Sequence, residues 1–390
     1  SRFPIRVLQI ATLNRPVRGD LGYAPIETII YNIDKGLTAL GHTSIVACSG
    51  DSNVVGEPFT TIPESFSMYH SEDTYSQRMQ SKRHMLKAWQ RAKMGDIDVI
   101  HMHDAAMTEY IYNGTLNTTI PIVMTLHVPA SEEGSFRTWN DSLGAASNVF
   151  FVPISEYQKN QHAGMRNVQE VIYHGIDVLE YPYLVDSAPD EYLFSIGRIT
   201  RNKGQHSAIE AARQTGMRLV LAGNVQNKPE DRAYFEELKE SIDLVVPPNE
   251  HPGGPGYYES VVQPILESPK QIIYIGELNS AQKKVWFMHA KATLFPVEWG
   301  EPFGLVLVES MACGTPVIAF RRGSVPEIVS HGHTGFVVDT SQEMAQAVQG
   351  LSIIDRRDCR ADAEDRFSLT VMAENYVKKY QQLLERKVYA

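Results

Sequence analysis

The stretch Ala292-Thr-Leu-Phe-Pro-Val-Glu-Trp-Gly-Glu-Pro-Phe-Gly-Leu-Val-Leu-Val-Glu-Ser310 decides how the chain folds. Ala292–Phe295 is a short apolar run of strand type, Pro296–Phe303 is broken by Pro and Gly, and an apolar helical run opens at about Gly304. Strand, glycine-bearing loop and helix make one unit of a doubly wound parallel sheet. The same stretch concentrates chemistry. Glu301 lies in the loop just before the helix and Glu309 eight residues later inside it. The helix start, with Gly304 and Leu305 offering unobstructed N–H groups, suits a phosphate. The flanking carboxylates would repel phosphate and are suited to accept hydrogen bonds from sugar hydroxyls. A buried Glu309 without such a partner would be costly. Phosphate and hydroxyls together describe a nucleotide sugar.

Working outward, Tyr192–Ile196, Arg218–Leu221, Gln271–Ile275, Pro316–Phe320 and Phe336–Val338 are further strand candidates, each followed by a helical run or a turn. Upstream, Ile5–Ala11, Ser44–Cys48, Asp98–Met102, Ile122–Leu126 and Val149–Val152 repeat the pattern. Between the first two, Ile26, Ile29, Ile30, Ile33, Leu37 and Leu40 recur at helical spacing until Gly41. The economical fold is α/β: two Rossmann-like doubly wound parallel-sheet domains, residues 1–175 and 176–367, facing an interdomain cleft. A last helix, about 368–390, follows the second sheet and can pack back onto the first domain. In such sheets ligands bind beyond the carboxyl ends of the strands.

Composition agrees with a soluble globular chain: 390 residues, 43% hydrophobic and 21% charged, with a formal charge of −10. The acidity argues against nucleic acid as a partner, which would need a basic stripe. Cys48, Cys313 and Cys359 are scattered without metal-ligand spacing and read as reduced thiols in a cytoplasmic protein. No apolar run is long enough to span a membrane. Arg78–Lys93 holds six basic residues and no acid, with Met79, Leu86 and Trp89 roughly on one side. It reads as a solvated helix packing Leu86 and Trp89 into the first domain; peripheral contact with the inner membrane surface is the alternative.

Other strand ends supply the remaining candidates. Arg198 and Lys203 stand five residues apart in the turn after Tyr192–Ile196, where two cations would focus a diphosphate. Gly19 and Gly22, after the first strand, permit close approach of backbone to a ligand, but the loop is not G-x-G-x-x-G, which demotes a nicotinamide cofactor. His127 ends the strand Pro121–Leu126 and, in a two-domain fold, faces the Glu301 segment across the cleft. His101 and His103 alternate as metal ligands can, yet no third ligand stands out, and they read as cleft-lining or structural.

These residues resemble the retaining glycosyltransferases of the GT-B fold, specifically glycosyltransferase family 4. The resemblance rests on Gly197-Arg198 with Lys203-Gly204, Tyr274–Glu277, the Glu301-x7-Glu309 motif, Met311–Pro316, Gly323–Ile328 and Gly332–Phe336, in the family's order. Thr125–His127, His101–Asp104 and His174–Asp177 match weaker landmarks, while Gly19 and Gly22 stand where many members have adjacent glycines. The resemblance implies that Arg198, Lys203, Gly304, Leu305 and Gly22 bind the donor diphosphate and that Glu309 holds the ribose hydroxyls. It places the base at Gly276, Glu277 and Leu278, the transferred sugar's O3 and O4 at Glu301, and its anomeric carbon and O6 at His127. His127 and Glu301 are thus the implied catalytic residues. It implies further a UDP-sugar donor such as UDP-glucose, a hydroxyl acceptor (glycan, lipid-linked sugar or small molecule), retention, and neither cofactor nor metal. A nucleotide-sugar epimerase, a phosphorylase of the same fold and a non-enzymatic nucleotide-sugar sensor are the competing readings.

Overall fold

The computed structural model describes residues 3–66, 73–104, 117–128 and 148–389. These divide into two compact units, Ser1–Asp177 with Ser368–Ala390, and Val178–Phe367. Each is a parallel sheet with most of its strands buried as near-continuous apolar runs, the pattern of a sheet covered on both faces.

In the first unit, β1 (Arg6–Ile10), β2 (Thr43–Ser49), β3 (Glu57–Ile62), β4 (Val99–Met102), β5 (Ile122–Thr125) and β6 (Val149–Val152) are ordered β3-β2-β1-β4-β5-β6. The order reverses between β1 and β4, so their carboxyl ends open on a topological switch point. The helix Pro25–Ala39 buries Ile29, Ile30, Ile33 and Leu37. Its Asp34 is also buried, accepting from Ser44 Oγ at 2.6 Å and the Val55 amide at 2.7 Å, and so fastens the loop that enters β3. β3, an edge strand containing Pro58 and largely exposed at its start, was not among the sequence candidates.

The helix Thr74–Ala92 corrects the reading of the basic segment. Met85, Ala88, Trp89 and Ala92 enter the core, whereas Leu86 is 38% exposed and Met79 half exposed. The apolar residues lie on two sides of the helix, and only Trp89 of the expected pair packs inward. Among the described residues no helix is long and apolar enough to cross a membrane. The three cysteines are free and buried.

The C-terminal helix Leu369–Tyr389 belongs to the first unit. The Leu369 amide donates to Ile176 carbonyl at 2.7 Å, and Tyr376 and Tyr380 are fully buried. Gly36 makes the close helix crossing possible, since a Cβ there would sit 2.5 Å from that of Ala373.

In the second unit, β7 (Tyr192–Ile196), β8 (Arg218–Ala222), β9 (Leu244–Val245), β10 (Ile272–Tyr274), β11 (Ala292–Phe295), β12 (Val317–Phe320) and β13 (Gly335–Val338) are ordered β13-β12-β11-β7-β8-β10-β9. Here the switch point lies between β7 and β11, which carry the two loops singled out in the sequence. β9, a two-residue edge strand, was not among the candidates either. Arg356 donates to the carbonyls of Leu184, Met288 and Ala290 and to Thr315 Oγ1, tying the chain after Val178 to this unit.

Candidate active site

In the second unit the loops after β7 and β11 are locked together. Gly204 has φ +75°, and a Cβ on it would lie 1.9 Å from the Pro296 carbonyl oxygen, so only glycine fits both the backbone and the space. The Glu298 amide donates to Asn202 carbonyl at 2.9 Å. This stitching sets Lys203 Nζ 2.5 Å from Glu301 Oε1, both side chains about 15% exposed. The residues assigned from sequence to diphosphate and sugar therefore form one ion pair. Trp299 backs it, with Lys203 Nζ 5.6 Å from the ring centroid. Arg198 Nε is buried with no hydrogen-bond partner among the described residues, leaving a donor for a further acceptor.

The helix Leu305–Ala312 begins on Gly304, whose φ of +91° makes the sharp entry. No side chain caps this end; of the first-turn amides, that of Leu307 donates to the Gly304 carbonyl at 3.2 Å, and the earlier ones precede any helical acceptor. One turn further in, Glu309 is 6% exposed and has protein partners: Lys283 Nζ at 2.8 Å and the Tyr181 hydroxyl, which donates to Oε2 at 3.0 Å. Burial, and then the Glu309 carboxylate beside it, pushes the Tyr181 hydroxyl far above its ordinary range. Sequence reasoning missed Lys283 and Tyr181. Lys283 is one lysine of a helix, Ser280–His289, and Tyr181 lies in an irregular segment; neither carries a spacing signal. Gly276, at φ +76° with open space where a Cβ would point, follows β10; its carbonyl accepts from the Gly223 amide. Glu277 is exposed and Leu278 half-buried, beside the cluster around Trp286.

In the first unit, half-buried His127 follows β5 and joins a row of buried histidines. His127 Nε2 is 2.9 Å from His103 Nδ1, and its ring stacks on His174 with centroids 5.2 Å apart. His103 Nε2 is 2.7 Å from Gln9 Oε1. His101 bonds Tyr380 OH at 2.6 Å and Thr125 Oγ1 at 2.7 Å, and Tyr376 OH lies 2.8 Å from that Thr125 Oγ1, so two helical tyrosines seal the row. Burial lowers every one of these imidazoles, His101 and His127 to about 3, His103 and His174 well below the ordinary value. Gly22 is half-buried in the loop after β1. Gly19 in that loop serves packing: a Cβ there would lie 2.8 Å from the Tyr31 ring. Among the described residues no group of three or more His, Cys, Asp or Glu is placed to hold a metal ion.

Comparison with known proteins decides the family. Residues 264–367 match the family model described as glycosyl transferases group 1, and residues 26–179 that described as Glycosyltransferase Family 4. The chain belongs to glycosyltransferase family 4. Among curated relatives of this family 4 chain, sucrose synthase 1 of Oryza sativa subsp. japonica is 26% identical over 207 residues, 52% of this chain and 24% of that one. The match thus spans about a quarter of that relative. An uncharacterized 41.2 kDa protein in the cps region of Klebsiella pneumoniae is 30% identical over 117 residues, 28% of this chain and 32% of that one. Of solved structures, sucrose-phosphate synthase from Thermosynechococcus elongatus superposes with a TM-score of 0.70 at 18% identity, covering 98% of this chain and 100% of that one. Anabaena HepE in complex with UDP and glucose gives 0.67 at 19%, covering 97% and 99%. These likenesses establish the GT-B fold of the family 4 enzyme.

Proposed function

We propose that the protein is a retaining hexosyltransferase that moves a hexose from a UDP-sugar, UDP-glucose or a close relative, to a hydroxyl acceptor without a divalent metal. The Lys203–Glu301 pair just ahead of the uncapped helix start at Gly304 carries this reading. A cation, a carboxylate and free N–H groups converge where phosphate and sugar hydroxyls of one donor would lie. The complex of Anabaena HepE with UDP-glucose supports the choice of donor. Arg198, Lys203 and the N–H groups of Gly304, Leu305 and Gly22 take the diphosphate. Glu309 holds the ribose and Gly276–Leu278 the base. Glu301 binds O3 and O4 of the hexose, and His127 meets its anomeric carbon and O6.

In this reaction the bond between the anomeric carbon and the diphosphate oxygen breaks, and its electron pair leaves with the diphosphate. Fixed positive groups stabilise that developing charge without reorganising. The acceptor hydroxyl forms the new bond on the same face and passes its proton to the departing oxygen. His127 is a poor base for that proton, because burial holds it at about 3.

UDP is expected to raise the melting temperature more than GDP or ADP. At a hundred times its dissociation constant it adds about 2.7 kcal/mol, a shift of several degrees for a domain of this size. Glu309→Ala should shrink the UDP shift in a thermal scan. An unchanged UDP shift in that variant contradicts the ribose assignment, and no shift with any of the three nucleotides contradicts the donor.

A further inference from the structure

The histidine row fixes where its protons sit. Gln9 donates its amide N–H to the Ile30 carbonyl at 3.2 Å, which turns Oε1, an acceptor only, toward His103. His103 Nε2, 2.7 Å from that oxygen, must therefore carry a proton. A neutral imidazole has one N–H, so His103 Nδ1 is a bare acceptor. The atom 2.9 Å from it is His127 Nε2, and only a protonated Nε2 can donate there. The other possibility, a doubly protonated His103, is opposed by its complete burial, by His101 stacked 4.4 Å away and by His127 and His174 alongside. Each link follows from the one before, starting at a backbone carbonyl.

We propose that Gln9 and His103 are positioning residues that fix His127 as its Nε2–H tautomer, leaving Nδ1 as a hydrogen-bond acceptor for a hydroxyl of the transferred sugar. The sugar contact rests on the assignment of His127 under the proposed function; the tautomer does not. His127 then receives a hydroxyl proton in a hydrogen bond and cannot donate to the sugar oxygen. The opposite tautomer would reverse that bond, with Nδ1–H donating to the hydroxyl oxygen. Gln9 and His103 lie at the carboxyl edge of β1 and β4, adjacent strands at the switch point of the sheet, so the same topology that opens the site supplies the proton relay. His101, held by Tyr380 and Thr125, stands outside the relay.

The test is nitrogen NMR on the full chain labelled at its histidine rings, with His127 assigned by the signal lost in His127→Gln. A protonated Nε2 and an unprotonated Nδ1 at pH 7.5 are expected, and a protonated Nδ1 overturns the proposal. In His103→Phe, which removes the acceptor, His127 should lose its single tautomer. Turnover of UDP-glucose should then fall about tenfold or more, as for a misaligned reacting group, with KM for the donor within about twofold. An unaltered tautomer in that variant, or a KM that rises while kcat is kept, overturns it. If the wild-type chain does not turn over UDP-glucose, the donor assignment fails while the wild-type spectrum still decides the tautomer.

Discussion

Replacing Lys203 by alanine is expected to lower kcat/KM for the nucleotide-sugar by roughly 10²–10³-fold, the loss seen when one fixed donor to a developing oxyanion is removed. Glu301→Ala is expected to fall as far, but for a different reason: it loses the hydroxyl contacts of the hexose and leaves UDP affinity intact. The two side chains are 2.5 Å apart and mostly buried, so each single variant also strands its partner's charge. Their effects should therefore not add. The double variant is expected to be little worse than the poorer single one, as for residues that act as a unit. Steady-state kinetics on the four proteins, with UDP calorimetry, separates the roles. Additive losses would mean that the pair is incidental. A Lys203→Ala protein that binds UDP normally would remove the diphosphate from this lysine.

Lowering the pH from 7.5 to 5 is expected to destabilise the first unit far more than the second. His84, His101, His103 and His174 are buried, His127 is half-buried, and all are neutral in the folded chain, with His84 lowered to about 4 and His101 and His127 to about 3. Unfolding returns each to about 6.5. Below that value the unfolded chain binds more protons than the folded one, so stability falls as pH falls, by about 1.4 kcal/mol per pH unit for each histidine. Glu27 acts in the opposite sense. Burial raises it to about 7, so between its unfolded value of about 4.3 and 7 the folded chain holds the extra proton and gains stability as the pH drops. The raised carboxyls Glu27 and Asp34 offset only part of these imidazoles and of His42, also lowered by burial, so a net loss of stability by pH 5 follows. In the second unit His289 is the described histidine with a resolved lowering, a smaller one. Hydrogen exchange at β4 and β5 against β11 over this pH range measures the difference. Equal acceleration in both units would contradict the role given to the histidine row.

Strands with uninterrupted apolar runs were legible: Tyr192–Ile196 and Ala292–Phe295 in the middle of their sheet, and Val149–Val152 at an edge, fall where they were read. Two other edge strands were not. β3 is largely exposed over its first four residues and contains Pro58, and β9 spans two residues, so neither bears a buried strand's signature. Likewise Glu301 and Lys203 could be read singly from glycine-bearing loops at strand ends, but their pairing depends on Gly204 pressing against Pro296, a contact between loops distant in sequence. Lys283, Tyr181 and Gln9 were invisible for the same reason: their meaning lies in one partner each, brought near only by the fold. The basic helix failed on rotation. Leu86 lies three residues before Trp89, a spacing that read as one side, yet only Trp89 enters the core.

The most direct measurement needs no acceptor. UDP-glucose is incubated with the protein, and the sugar released by slow transfer to water is followed by proton NMR from the first turnovers, before mutarotation. Release of UDP together with glucose that is initially the α anomer is the expected result. Recovery of the donor as an epimer, first appearance of the β anomer, or no nucleotide released from UDP-, GDP- or ADP-glucose would contradict it.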